Sequence, residues 1–536
     1  MAVPEPRDAA TPEPSATPGR TGRRPRAWVL HPLLLAAYPV LFLFSENTAD
    51  QLSLEPLLLP LGAAIGGAIV AFLVMIIVFA DVHRAGIATS VLVVGFFSFG
   101  HAWNLVGGLL GDERVLLAAW IALMAAGVVL AWRLGARAQR ATGPMNLLAA
   151  IPVAFALIGL GDFAISRGAV GGVPNPVGLL DAGGEARPDI YYLVFDRYAG
   201  SPALERHFAF DNEPFLRELE DRGFFVARDS VANYVKTNLS LTSTLDMEYL
   251  DADALNAAAT SPADQGPINR RFQGRLAVPS ALKELGYDFV LVPSWWAPTA
   301  SNVDADLTLR YEGASEFTIA LLETTLVGAI AGPAEEIDPF SMTELRNYTL
   351  HQLEQMVAVP ALPGPKFVMA HFLIPHPPSL FDRDGTPFEG EEAQLSGEEK
   401  YLRQLEFTNA QILRIVDAIE AEAGDDEPVI VIQADEGPFP ERYAANGETF
   451  RWEQATPEEL EIKFRILNAM RIPGVDVAEL GATASMTPVN EFRIVFNALF
   501  DAGLPLLPER VYAHADYRHF YDLVEVTDRI PGWPAD

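Results

Sequence analysis

The residues of this chain best suited to chemistry stand at the ends of apolar runs. Residues 189–196, DIYYLVFD, end in Asp196; residues 366–376, KFVMAHFLIPH, end in His376; residues 428–438, PVIVIQADEGP, carry Asp435 and Glu436. A continuous apolar run suits a strand buried on both faces, and in open parallel sheets ligands collect beyond the carboxyl ends of the strands. Carboxylates converging there repel one another unless a cation lies among them. The pattern predicts a divalent-metal site at Asp196, Asp435 and Glu436. Residues 233–245, NYVKTNLSLTSTL, add hydroxyls that open a helix. An alcohol at a helix N-terminus beside a metal can ionise and attack phosphorus, which makes Thr237 and Ser240 candidate nucleophiles and Thr237 a candidate metal ligand as well.

Each residue also has a plainer reading. Asp196 is an ordinary strand-end cap if its partners are absent, and Thr237 is an N-cap, a role threonine often fills. His376 precedes Pro377 and packs in a fixed turn, or else orients phosphate or protonates a leaving alkoxide. Arg197 and Lys236 are candidate phosphate clamps or solvated charges. His371 is placed with the substrate-binding group, although a buried strand position suits it too. Trp295 and Trp296 stack on a sugar or pack in the core. Asn490 and Arg493 are within conceivable reach of the site.

The elements that must position these residues form an α/β pattern. Residues 400–422 repeat apolar positions at helical spacing and feed the third strand, and strand, helix, strand in that order argues for a parallel sheet with right-handed crossovers. The domain spans residues 187–536. Its closing helix is expected within 486–512, MTPVNEFRIVFNALFDAGLPLLPERVY.

Residues 1–27 read as a disordered cytoplasmic tail, and apolar runs near 28–45, 57–80, 87–110, 115–132 and 146–165 as about five transmembrane helices within 28–166. Residues 167–186 form a linker. Arg20, Arg23, Arg24 and Arg26 precede the first run, Arg84 lies in the second connection, and Arg133, Arg137 and Arg140 lie in the fourth. The positive-inside rule puts the N-terminus in the cytoplasm of a multi-pass plasma or inner membrane protein and the α/β domain outside. Asp162 is either an interfacial residue or an intramembrane functional acid.

Charge excludes some partners. Ten acidic and 11 basic side chains precede residue 180, whereas 60 acidic and 27 basic follow it, so the C-terminal part repels nucleic acid. The absence of cysteine rules out disulfides, thiolate chemistry and a formylglycine made from cysteine.

Over about residues 187–440 these segments resemble the alkaline phosphatase and sulfatase superfamily, in particular its membrane-bound lipoteichoic-acid-synthase-like and phosphoethanolamine-transferase-like members. PDIYYLVFDRYAG is similar to the opening strand with its metal-binding acid, TNLS to the nucleophile segment, HFLIPHPP to the histidine-proline element and QADEGP to the closing Asp-His-Gly. The resemblance implies an α/β alkaline-phosphatase-like fold after a transmembrane helical bundle. It also implies Thr237 as nucleophile with Ser240 its companion, His376 as substrate-binding or proton-donating histidine, and Asp435 and Glu436 as metal ligands. Glu436 stands where the family has histidine, which favours manganese or magnesium over zinc or, alternatively, marks an inactive envelope scaffold. A single acid before Arg197 points to one metal. The reaction implied is phosphoryl, phosphoglycerol or phosphoethanolamine-type transfer, or plain hydrolysis, on a membrane lipid, a lipid-linked glycan or another cell-envelope phosphoester.

Overall fold

A computed structural model describes residues 28–46, 55–110, 113–168, 187–311, 316–327, 341–424 and 427–533. The expected tail 1–27 and all but the start of the expected linker lie outside the described residues, as does the side chain of Asp162.

Five N-terminal helices form where the apolar runs predict them: α1 (His31–Glu46), α2 (Glu55–Phe79), α3 (Val82–Leu110), α4 (Glu113–Arg133) and α5 (Arg137–Gly168). Four are long and apolar enough to cross a membrane, and His31–Ser45 of α1 is shorter. α3 and α5 begin earlier than hydropathy suggests, at Val82 and Arg137. The Asp81 carboxylate accepts the N–H groups of His83 and Arg84 and starts α3, so Arg84 sits in its first turn and not in a connection. At the same end, Asn146 of α5 accepts the N–H groups of Leu30 and His31 at 3.0 and 2.9 Å. Its amide satisfies two donors that the start of α1 leaves orphaned. His31 pairs with Ser90 at 2.6 Å and His83 with Thr142 at 2.9 Å, binding α1 to α3 and α3 to α5.

The C-terminal part is built on a seven-stranded sheet of order β2-β7-β6-β1-β5-β3-β4. The strands are β1 (Ile190–Phe195), β2 (Phe225–Val226), β3 (Asp288–Val292), β4 (Leu307–Thr308), β5 (Lys366–Phe372), β6 (Val429–Gln433) and β7 (Asn468–Arg471). β1 lies at the centre, parallel to β5 and β6, and β3 is parallel to β5 and β4, while β7 runs antiparallel to β6 and β2. The expected mostly parallel sheet is present, with an antiparallel margin.

Double burial explains the apolar strands. Tyr191, Leu193 and Phe195 enter one core with Leu405, Ile412 and Ile419 of the helix Gly397–Glu422, and Ile190, Tyr192 and Val194 enter a second with Leu241, Leu245 and Phe492. Successive strand residues point to opposite faces, so a sheet covered on both sides needs apolar residues at every position. Beyond the closing helix, Glu491–Phe500, the chain forms an antiparallel hairpin of β8 (Tyr512–Asp516) and β9 (His519–Glu525).

Leu193 is fully buried on the central strand. Leu193→Ala is expected to cost about 2–5 kcal/mol through lost transfer energy and the cavity left behind, read by chemical denaturation against wild type with circular dichroism.

Candidate active site

Strand register assembles the site. Val194 pairs with His371 on β5 and with Gln433 on β6. Two residues past the Val194–Gln433 pair come Asp196 and Asp435, flanking the same strand end. Asp196 is fixed by its N–H donating to the Phe372 carbonyl at 2.9 Å, and the segment before Asp435 by Ala434 donating to Leu467 at 2.8 Å.

Asp196, His371 and Asp435 offer ligand atoms that all lie within 4.8 Å of one another, and all three residues are buried. Asp196 Oδ1, His371 Nε2 and Asp435 Oδ2 have no hydrogen-bond partner among the described residues. Unsatisfied buried polar atoms are costly, and a divalent cation would satisfy all three at once. Burial keeps His371 neutral, drawing its pKa down to about 3. Its Nδ1 lies 2.9 Å from Thr299 Oγ1. A proton on Nδ1 donated to that hydroxyl leaves Nε2 free to ligate, the usual support for a metal-binding histidine.

Electrostatics at these acids suit a divalent cation. Burial and then the charge of Asp435 raise the pKa of Asp196 well above the carboxylate range, while burial and then Glu436 push Asp435 up to about 7. The Thr237 side chain stands close enough to Asp435 to oppose that rise. Thr237 is the first residue of the helix Thr237–Asp246, whose N-cap is Lys236, so it is not the cap itself. Its hydroxyl is set at a helix N-terminus and against a member of the buried trio. Ser240, one turn on, is buried with an unpartnered hydroxyl and does not line the cavity.

Glu436 is placed differently from its neighbour. Its Oε1 lies 2.9 Å from Lys463 Nζ and 3.3 Å from Arg197 Nε. Burial raises its pKa, but Lys463, Arg197 and Lys236 outweigh burial and hold it below the usual range. The carboxylate that sequence assigned to metal is thus held by fixed cations, and His371, assigned to substrate, completes the trio. Lys463 is fully buried in the helix Pro457–Phe464 and donates to the Gly437 carbonyl at 2.9 Å. This close approach requires glycine: a Cβ at Gly437 would stand 2.3 Å from the Ile462 carbonyl oxygen.

A cavity of about 300 Å³ opens beside these groups. Asp196, Arg197, Lys236, Thr237, His376 and Glu436 line it, together with Trp295, Trp296, Tyr517 and the amides Asn238 and Gln265. Arg197 adopts φ +58°, a left-handed turn costing an L-residue about 1–2 kcal/mol. That turn sends its N–H to Asp435 Oδ1 at 3.3 Å and its guanidinium over Phe439 at 3.9 Å from the ring centre. Burial lowers Lys236 to about 8, although Glu436 supports its charge, and burial followed by Arg197 holds His376 well below its ordinary value.

Asn490 and Arg493 are occupied elsewhere. Asn490 bonds Leu507 and Glu509, and Arg493 bonds the Met247 and Pro505 carbonyls. Lys463 and Tyr517 escape sequence reasoning because a lysine in an amphipathic helix and a tyrosine at a hairpin turn look solvated. His371 carries one signal, a lone imidazole in an otherwise apolar strand.

Acids at the carboxyl ends of a mostly parallel sheet, with a hydroxyl at a helix start, make an α/β domain with a candidate metal site at its strand ends. Residues 208–464, just under half of the chain, match the sulfatase family model, so a sulfatase-family domain follows four long apolar helices. Among solved structures it is similar to the C-terminal periplasmic domain of EcEptC from Escherichia coli, at 13% identity and TM-score 0.40, covering 66% of this chain and 95% of that one. The periplasmic domain of the phosphoethanolamine transferase EptC from Campylobacter jejuni aligns at 10% identity and TM-score 0.35, covering 66% and 96%. The phosphonate monoester hydrolase of Agrobacterium radiobacter aligns at 14% and 0.34, covering 58% and 74%. No curated protein matches the chain significantly.

Two outcomes follow. Metal affinity of the metal-free protein should fall by up to about tenfold per pH unit as pH drops below about 7, because Asp435 must lose a proton to bind; dye-competition titrations at pH 6 and pH 8 read this. A carboxyl at 3.8 unfolded and about 7 folded also makes the metal-free protein less stable as pH rises between those values, a slope that bound metal removes. Separately, Lys463→Met strands Glu436 and is expected to cost about 3–5 kcal/mol, with Lys463→Met/Glu436→Gln recovering part of it in thermal melts.

Proposed function

We propose that this protein is a membrane-anchored, metal-dependent phosphotransferase or phosphodiesterase that works through a covalent Thr237 intermediate on a lipid-linked or cell-envelope phosphoester. The observation that carries the reading is Thr237, at a helix N-terminus and lining the cavity beside the buried Asp196, His371 and Asp435.

Asp196, His371 and Asp435 would hold the metal, with Thr237 adjoining it. One nitrogen among oxygens favours zinc or manganese over magnesium. A divalent ion there supplies Lewis-acid stabilisation of the phosphoryl oxygens and lowers the pKa of the neighbouring alcohol.

The chain's own residues do the rest. Thr237 Oγ1 loses its proton to solvent as it attacks phosphorus; a threonyl O–P bond forms and the bond to the leaving alkoxide breaks. Arg197 and Lys236 stand at the cavity to draw in the anionic diester and balance its charge. Neutral His376 serves better as a hydrogen-bond donor that orients a phosphoryl oxygen than as an acid. Lys236, lowered to about 8, is the better proton source for the alkoxide. Water or an acceptor hydroxyl then takes the phosphoryl group and restores Thr237. Glu436 belongs to the cation cluster in this scheme, so its presence in place of histidine does not imply inactivity.

The arginines at one end of the bundle support a cytoplasmic N-terminus and an external catalytic domain.

Thr237→Ala should lower phosphodiester turnover by about a thousandfold or more, and rapid quench with intact-protein mass spectrometry should show a phosphoryl-type adduct on wild type that the variant lacks. A correctly folded, metal-loaded wild type with neither adduct nor turnover would sink the reading. Lys236→Met should slow alkyl esters about a hundredfold while sparing a nitrophenyl ester, whose leaving group needs no proton.

A further inference from the structure

The connection from β3 to β5 makes an excursion that the catalytic site does not explain. It carries Trp295 and Trp296 of the cavity, passes through β4, and enters the helix Glu316–Glu323. That helix packs on the bundle. Phe317 and Leu321 are 4% and 6% exposed and share an apolar cluster with Val40, Leu41 and Phe44 of α1 and Phe97 of α3, a cluster that holds no strand residue of the sheet. Phe317 meets Phe44 edge to face at 5.4 Å between ring centres. One turn on, the Thr324 carbonyl accepts the N–H of Gly100, inside α3, at 3.0 Å.

The contact has a depth. At 1.5 Å per residue Gly100 stands about 27 Å along α3 from Val82, against about 30 Å of hydrocarbon, and Phe44 is near the end of α1. The contact therefore lies at the end of the bundle away from Arg84, Arg137 and Arg140. A second observation concerns the surface. Of the five large exposed apolar residues described after residue 187, four (Val303, Leu307, Val327 and Met342) fall in this same stretch. The fifth, Tyr517, lines the cavity.

We propose that residues 316–327 form a membrane wedge: an excursion of the catalytic domain that buries Phe317 and Leu321 against α1 and α3 within the far leaflet. Val303, Leu307, Val327 and Met342 then face lipid headgroups, and the tryptophan wall of the cavity is held at the membrane surface. The wedge rests on the phosphoryl-transfer reading only for what it presents, a phosphodiester carried by a bilayer lipid. Its chemistry of recognition is apolar, and it needs no charged lipid. The bundle alone would tether the domain; the wedge fixes its orientation, on which attack geometry depends.

The chain has no cysteine, so introduced thiols are the only ones. In membranes, Phe44→Cys/Phe317→Cys is expected to give an intramolecular product with a short bis-maleimide, identified by peptide mass spectrometry, and a fluorophore on Val327→Cys should be quenched by brominated phosphatidylcholine. Leu321→Asp should lose about tenfold or more of its turnover of phosphatidylglycerol–phosphatidylethanolamine vesicles while keeping turnover of bis(4-nitrophenyl) phosphate within about twofold. Alkylation of both thiols without cross-linking, an unquenched probe, or equal vesicle turnover in wild type and Leu321→Asp would overturn the wedge. Wild type inactive on both substrates would overturn the phosphoryl-transfer reading instead, and the cross-link and quenching would still decide the wedge.

Discussion

Three buried carboxylates at the carboxyl ends of the central strands set the terms for the rest of the domain. Asp196, Asp435 and Glu436 are each nearly or fully inaccessible, and each raises or is raised by another. Transfer of a charge out of water is repaid only by close opposite charge and good geometry. The chain repays one of the three itself, with Lys463 and Arg197 on Glu436, and leaves the other two facing a neutral imidazole. A site with its own fixed cations on one side and none on the other has room for one added cation, next to the alcohol that would use it.

Everything nearby serves that division. β1 is apolar throughout because both of its faces are covered, which makes its end rigid and places Asp196 in register with Asp435 across one strand boundary. The left-handed turn at Arg197 turns the chain sharply enough for one residue to give its N–H to Asp435 and its guanidinium to Glu436. Gly437 lets the loop after Asp435 touch the backbone of the lysine helix, so Lys463 is positioned by the loop whose charge it balances. Strain and close packing here are accounted for by charge placement.

Sequence made the strands readable for the same physical reason. Runs such as IYYLVF and VIVIQ have few explanations other than double burial, and a polar residue at such an end is exceptional enough to notice. The hydroxyl-rich start of the helix at Thr237 was readable too. What local pattern does not encode is which strand lies beside which. His371 joins the trio because β5 pairs with β1 at Val194, a long-range fact, and Glu436 leaves it because Lys463 arrives from a helix nearly thirty residues later. The tryptophan pair read as core or as sugar platform, and its place at the cavity wall depends on the turn after β3. Hydropathy misses the start of α3 because the Asp81 carboxylate caps it ahead of the apolar run.

The two halves of the chain follow opposite rules and still meet. In the sheet domain the buried charges cluster at the strand ends, whereas in the bundle His31, Ser90, His83 and Thr142 are buried in pairs that lock helix ends together. Without water to compete, such pairs also fix the relative rotation of the helices they join. A bundle fixed at one end by side-chain hydrogen bonds and touched at the other by Phe317 and Leu321 offers a firm platform, not a loose anchor. An enzyme that draws its substrate from a lipid surface gains from that firmness, because its substrate arrives in one plane and its nucleophile must already be facing it.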